Sequence, residues 1–274
     1  MEYPDRYAVV APTSRWAGKC WPIERFTELA QRLAQHQSLD RVIIVGGPGE
    51  RLQCAPLLEM AEDHPKITDR VGSTSIAQLM AIISRAKLVV ANDSVANQLW
   101  INNGQGVFTD QALVAGLAFN RSGDREAGMG LAGADYNGDG EVDLFVTNYF
   151  GETNTLYRNE GALFFLDVTD ETGLAAPSRA RLGFGTSFLD ANNDGWEDLF
   201  VTNGHVHDRL SQLGKTEPYE QEPQLFLNLA GSRFDDVSAQ SGEFFRTKQV
   251  GRGCAVADFN QDGLVDLAVS HLNE

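Results

Sequence analysis

Three short loops hold the residues of this chain whose types and spacing could do chemistry. Asp135, Asn137, Asp139 and Asp143 stand in the pattern D-x-N-x-D-G-x-x-D. The pattern returns as Asp190, Asn192, Asp194 and Asp198, and again as Asp258, Asn260, Asp262 and Asp266. Oxygen ligands at alternate positions, with a Gly after the third to permit a sharp turn, suit a hard cation such as Ca²⁺. The carbonyl of loop position 7 (Glu141, Trp196 and Leu264) is the expected extra ligand. One copy could be a polar turn. Three copies in one frame, each with Gly-x-Gly five residues ahead, predict three Ca²⁺ sites.

The flanking elements are strands. An EF-hand would need helices on both sides and a bidentate Glu at position 12. Here position 12 is Val146, Val201 or Val269, inside the β-branched and aromatic runs DLFVTN, DLFVTN and DLAVSH. Each loop therefore bridges two β-strands. A second motif lies between the loops, N-x-L-aromatic-x-N followed by F-x-D. It occurs at Asn154–Asn159 with Phe165–Val168, at Gln224–Asn228 with Phe234–Val237, and earlier at Asn97–Gly104 with Phe108–Asp110. Apolar alternation around an Asn/Gly turn predicts a hairpin. The full unit is strand, loop, strand, hairpin, with a period of 55 residues from Asp135 to Asp190. The next step is 68 residues, and the polar insertion Gly204–Pro223 accounts for the excess. Its His205 and His207 are expected in a surface loop, since no further metal ligands cluster with them.

Four short strands per unit is the arithmetic of a propeller blade. These loops and hairpins resemble FG-GAP/VCBS repeats, and more closely the cartilage-acidic-protein-like (ASPIC/UnbV-associated) repeat proteins. The resemblance implies a β-propeller related to the integrin α-chain head, with structural metal loops, in proteins that are usually exported and bind protein or glycan partners. Two complete units and parts of two more are present, so an incomplete propeller is expected over residues 92–274.

Residues 1–91 read differently. Tyr7–Ala11, Arg41–Val45, Ile67–Val71 and Lys87–Ala91 are apolar strands. They alternate with helices from Pro22 to about His36, from about Glu50 to Glu62, and over Ser75–Arg85. This alternation predicts a parallel, doubly wound sheet of four strands with one unpaired edge, and through that edge self-association. Ligands of such sheets bind at the carboxyl ends of the strands, where Thr13, Ser14, Lys19 and Glu50 stand. The order APTSRWAGKCWPIERFTELAQRL, VIIVGGPGE and ITDRVGSTSIAQLMAIISRAKLVVANDS resembles the nucleotide-sugar domain of glycosyltransferase family 9, the heptosyltransferases. That resemblance implies one Rossmann-like half of a two-domain cleft. Ser14 and Lys19 would meet the diphosphate and Glu50 the ribose, and Asp93 would begin the family's D-S-G-P-M-H-L-A segment. After Asp93-Ser94 the chain reads VANQLW, so the rest of that segment is missing. The acceptor half of the cleft is not found ahead of residue 1. Transfer needs both substrates oriented together, and catalysis is not expected.

The expected fold class is thus multidomain, α/β plus all-β. The two resemblances meet inside VANDS with no linker, which points to recombination, splicing or an assembly error. Residues 1–94 are balanced in charge, and the whole excess of −16 falls on residues 95–274. Such acidity favours cations and excludes nucleic acid as a partner. No apolar run is long enough to span a membrane. Three widely spaced cysteines give no disulfide framework. MEYPDRYAVV is not a signal peptide, so a cytoplasmic chain is expected. The primary expectation is a calcium-binding repeat module with a binding or structural role. The alternatives are a family 9-type transferase with an accessory repeat domain, and a chimera with no evolved function as a whole.

Overall fold

A computed structural model describes residues 7–12, 23–35, 40–73, 88–90, 92–102 and 107–272. The chain divides into two compact units. One is taken from residues 1–87 with 102–108, the other from 88–101 with 109–274.

The first unit holds a parallel sheet in the order β1 (Tyr7–Val10), β2 (Arg41–Ile44), β3 (Ile67–Asp69). Its register sets Val10 opposite Ile44 and Ile44 opposite Asp69. Two helices pack on the sheet, α1 (Ile23–Gln35) and α2 (Ala55–Asp63). Ile23, Phe26 and Leu33 of the expected apolar face do meet the core, and the fully covered positions of α1 are Ala30 and Ala34. Small residues there let the helix lie close to Val42 and Ile44. The second helix starts later than its sequence suggests, because a 3₁₀ turn occupies Pro48–Glu50. Pro56 therefore falls in the first turn of α2, where its missing N–H costs nothing. The expected helix at Ser75–Arg85 lies outside the described residues.

The second unit is built of antiparallel sheets whose strands neighbour one another in chain order. The first is β4 (Leu88–Val90), β5 (Gln98–Asn102) and β6 (Phe108–Asp110). The second is β7 (Gly130–Ala134), β8 (Asp143–Thr147), β9 (Thr155–Asn159) and β10 (Phe165–Asp167). The third is β11 (Gly183–Leu189), β12 (Asp198–Asn203), β13 (Gln224–Asn228) and β14 (Phe234–Asp236). The last is β15 (Gly251–Ala257) with β16 (Asp266–His271). Each loop motif joins the first and second strands of a sheet, and the two later N-x-L and F-x-D pairs form the third and fourth, as the repeat predicts. The earliest pair forms the second and third strands of the three-stranded sheet. The described sheets do not close into a barrel.

One strand corrects the sequence reading. Leu88–Val90 was expected as the fourth parallel strand of the α/β layer, although Lys87–Asn92 aligns equally well with the repeat strand at Asp143–Asn148. It pairs antiparallel with β5 instead, setting Leu88 opposite Trp100. Leu144 stands opposite Tyr157 in the same way, and Leu199 opposite Phe226. A local hairpin needs no crossover, whereas a parallel neighbour would need a long one. The turn is fixed by Asn97, whose Oδ1 accepts the Asn92 N–H at 3.0 Å.

Apolar faces of successive sheets form shared cores. One joins Leu99, Ala112 and Leu117 to Leu144, Val146 and Tyr157. The next joins Tyr136, Phe145 and Leu156 to Phe188, Leu199 and Phe226. The Gly-x-Gly pairs sit where first strands approach each other. A Cβ on Gly130 would stand 2.0 Å from the Phe184 carbonyl oxygen. The same approach is bridged by Thr147, whose Oγ1 donates to Phe184 O at 2.6 Å. Thr202, one repeat on, donates to Arg252 O at 3.0 Å.

Candidate metal centre

All three loops fold on one hydrogen-bond plan. The first Asp accepts from the backbone of positions 5 and 6. Asp135 takes Asp139 N at 3.1 Å and Gly140 N at 2.8 Å. Asp190 takes Asp194 N and Gly195 N at 3.0 and 2.9 Å, and Asp258 takes Asp262 N and Gly263 N at 3.1 and 2.9 Å. The third ligand position accepts from position 7, as Asp139 does from Glu141 N, Asp194 from Trp196 N and Asp262 from Leu264 N. The amides of Asn137, Asn192 and Asn260 each donate to that same Asp. Gly140, Gly195 and Gly263 have φ of 89°, 88° and 86°, a region only glycine enters freely.

The position 9 aspartates are set apart from the rest. Asp143 and Asp198 are fully buried. One oxygen of each holds the loop, through Tyr136 N at 3.1 Å and Ala191 N at 3.0 Å. The other holds the third strand, through Asn159 N at 2.8 Å and Asn228 N at 2.7 Å. Burial pushes the Asp143 carboxyl up to about 6, against the two backbone donors and with help from Asp139 and Asp135. Burial raises Asp198 in the same direction. Asp266 anchors its loop through Phe259 N at 2.9 Å. Position 9 thus ties each loop to its sheet, a role that ligand spacing alone does not reveal.

Among the described residues, no group of three or more His, Cys, Asp or Glu side chains stands in an arrangement that could hold a metal ion. The loop plan explains why: the carboxylates are turned onto their own backbone N–H groups. The donor set still suits a hard cation in kind, being all oxygen. No Lys or Arg among the described residues pairs with any loop aspartate. The carbonyls of Glu141, Trp196 and Leu264 accept no hydrogen bond from the described residues. Each carboxylate oxygen carries more than one lone pair, so a backbone donor does not exhaust it.

The nucleotide-sugar residues are dispersed. Ser14 and Lys19 lie outside the described residues. Glu50 follows β2 as expected, but its Oε2 accepts the Gly47 N–H at 2.6 Å and so closes its own turn. Asp93 forms an isolated bridge with Ala127 in the second unit, and Ser94 Oγ donates to it at 3.0 Å.

The histidine insertion departs from expectation. His205 is not on the surface but fully buried. Its Nδ1 accepts His207 N at 3.1 Å and its Nε2 faces the Tyr149 hydroxyl at 3.2 Å. Burial lowers its pKa, and with both ring nitrogens used the imidazole is a structural post. Sequence reasoning also passed over Glu126, a buried carboxyl held by Thr155 Oγ1 at 2.7 Å and Asn120 Nδ2 at 3.1 Å. A single Glu ahead of Gly-x-Gly carries no signal of its own.

A chain with these loops and sheets is an antiparallel repeat protein joined to a parallel α/β segment, and comparison with known proteins gives each part a family likeness. Residues 85–146 and 135–201 match the FG-GAP-like repeat. Residues 1–96 match glycosyltransferase family 9 (heptosyltransferase). The chain is 30% identical over 190 residues to cartilage acidic protein 1 of Xenopus tropicalis, covering 66% of this chain and 26% of that protein. It is 28% identical over 95 residues to lipopolysaccharide heptosyltransferase 3 of Escherichia coli (strain K12), covering 35% of this chain and 27% of that protein. It is 32% identical over 91 residues to integrin alpha-3 of Mus musculus, covering 33% of this chain and 8% of that one. The chain spans about a quarter of the length of the first curated relatives it matches. It is a fusion of FG-GAP-like repeats with a family 9-like segment.

Proposed function

We propose that residues 92–274 are a calcium-stabilised module of propeller-type blades with a binding or structural role. The observation that carries this is the set of nine loop aspartates folded on one plan without a Lys or Arg partner among the described residues. Such uncompensated charge destabilises the metal-free fold, and a cation held in each loop relieves it. Four-stranded antiparallel sheets in chain order, with glycine-lined first strands in contact, are what blades require. At a hundred times its dissociation constant, each Ca²⁺ would add about 2.7 kcal/mol to folding stability. Mg²⁺ substitutes poorly, since it prefers a small, partly hydrated octahedral shell.

Thermal unfolding in EDTA, Mg²⁺ and Ca²⁺ tests this on the wild type and on Asp139→Ala, Asp194→Ala and Asp262→Ala. The melting temperature rises with Ca²⁺ only, and less in each variant. Equal melting temperatures in all three conditions would make the loops polar turns.

The family 9 match over residues 1–96 favours a second reading, retained nucleotide-sugar binding through Ser14, Lys19 and Glu50 without transfer. Calorimetry with UDP-glucose on the wild type and on Lys19→Ala tests it, and identical heats from the two proteins would refute it.

A further inference from the structure

The second unit contains a solvent-open polar cavity of about 820 Å³, and none of the loop motifs lines it. Phe119, Asn120 and Ser122–Glu126 form one wall, and Gly151–Thr153 with Arg179 form the other. Two arginines, Arg125 and Arg179, are among the residues that line this cavity. Both side chains are exposed, and neither has an ion-pair or hydrogen-bond partner among the described residues. Three carboxylates join them: Asp124, Glu126 and Glu152. Glu152 commits Oε2 to the Ala127 and Tyr149 N–H groups at 2.9 and 3.2 Å. Its Oε1 makes no hydrogen bond with the described residues. The one aromatic side chain in the lining is Phe119.

The cavity is a departure from the repeat. One period after Glu126 stands Arg181, which forms an ion pair with Glu222 at 2.6 Å. Where the next repeat pairs Arg181 with Glu222, this one has a buried Glu126, and the Arg125 and Arg179 side chains have no partner among the described residues.

We infer that this cavity is a binding site for a saccharide carrying a carboxylate, of the uronic acid type. Paired guanidiniums recognise a carboxylate through charge-assisted hydrogen bonds. Carboxylate acceptors match sugar hydroxyls, which donate. A lining with a single aromatic ring suits a polyhydroxylated ligand better than an apolar one. The exposed Asp124 and the free Oε1 of Glu152 repel a sulfate or phosphate dianion more than a singly charged uronate. The site shares no residue with the Ca²⁺ loops, so its test can fail without touching the calcium reading.

Calorimetry of the full chain with digalacturonate, its uncharged counterpart digalactose and inorganic sulfate tests the inference, in Ca²⁺ and in EDTA. Digalacturonate binds, and digalactose binds at least about tenfold more weakly. The variant Arg125→Ala/Arg179→Ala loses about tenfold per guanidinium while its circular dichroism is unchanged. Arg179→Glu, a single substitution at an exposed position, loses at least about tenfold. No heat with digalacturonate, or equal affinity in wild type and both variants, overturns the site. Displacement of digalacturonate by equimolar sulfate overturns its saccharide character.

Discussion

The side-chain amide of Asn228 donates to the carbonyl oxygen of Tyr136 at 2.8 Å, across 92 positions of sequence. Asn228 closes its own hairpin as well, donating to Glu197 O at 3.0 Å and accepting from Gly231 N at 2.8 Å. Tyr136 is loop position 2 of the preceding repeat, and its ring meets Phe234 with centroids 5.6 Å apart. The hairpin of one sheet thereby grips the candidate metal loop of the one before it.

Asn228→Ala removes that grip and leaves a buried and a part-buried carbonyl without this donor. A loss of about 2–3 kcal/mol is expected, read as a lower urea midpoint with an unchanged slope. A loss below about 0.5 kcal/mol would mean the two repeats are not coupled there.

Glycines in the repeat divide into two kinds, and substitution separates them. Gly130→Ala places its Cβ against backbone, 2.0 Å from Phe184 O and 2.8 Å from Thr147 Oγ1. First strands must move apart to admit it, at about 3 kcal/mol or more. Gly140→Ala meets nothing within 4 Å and pays only for φ of 89°, about 1–2 kcal/mol. Paired denaturation curves check the order, and equal losses would contradict it.

Stability should fall as pH rises through the range set by Glu126. Burial pushes its carboxyl from 4.5 up to about 7, with Asp167 and Glu152 adding to the rise and the Thr155 and Asn120 donors opposing it. Between those values the folded state binds a proton that the unfolded state has released. The stabilisation is therefore complete below pH 4.5 and is lost as pH climbs to 7, by at most about 3 kcal/mol. Glu126→Gln keeps an acceptor oxygen for Asn120 Nδ2, presents its NH₂ to Thr155 Oγ1, which then accepts where it donated before, and has no charge to bury. Subtracting its stability curve from that of the wild type isolates this one group from Asp143, which titrates with the same sign. A flat difference between pH 4.5 and 7 would exclude the assignment.

What the sequence made legible was whatever repeats. D-x-N-x-D-G-x-x-D and N-x-L placed both the loops and the hairpins, because each is a local backbone device that recurs in register. Leu88–Val90 was misassigned because KLVVA satisfies a parallel and an antiparallel strand equally well, and only its partner decides. His205 was hidden because the insertion around it is polar, and a polar stretch gives no sign of one ring turning inward. Contacts such as Asn228 to Tyr136 depend on how sheets stack, which no window of neighbouring residues encodes. The carboxyls that matter most for stability, Asp143, Asp198 and Glu126, differ from their neighbours only in burial.

Trp196 supplies the last prediction. It occupies position 7 of the second loop, and its indole lies on the first. A Cβ built on Gly138 would be 3.4 Å from Trp196 Cζ3, and one on Gly231 would be 2.8 Å from the same atom. The ring is thus held between the loop of one repeat and the hairpin turn of the next. A cation in the first loop would stiffen the surface under the indole, and one in the second would fix the backbone that carries it. Ca²⁺ titration followed by tryptophan emission should therefore show a change that Trp196→Phe abolishes. Asp139→Ala, in the first loop, should shrink the same change although it leaves the second loop's ligands whole. Binding at the two loops is expected to be cooperative, and Trp196→Ala reduces the coupling while costing about 2 kcal/mol in lost burial. If Asp139→Ala leaves the Trp196 emission change intact, the indole reports its own loop alone and the coupling is refuted.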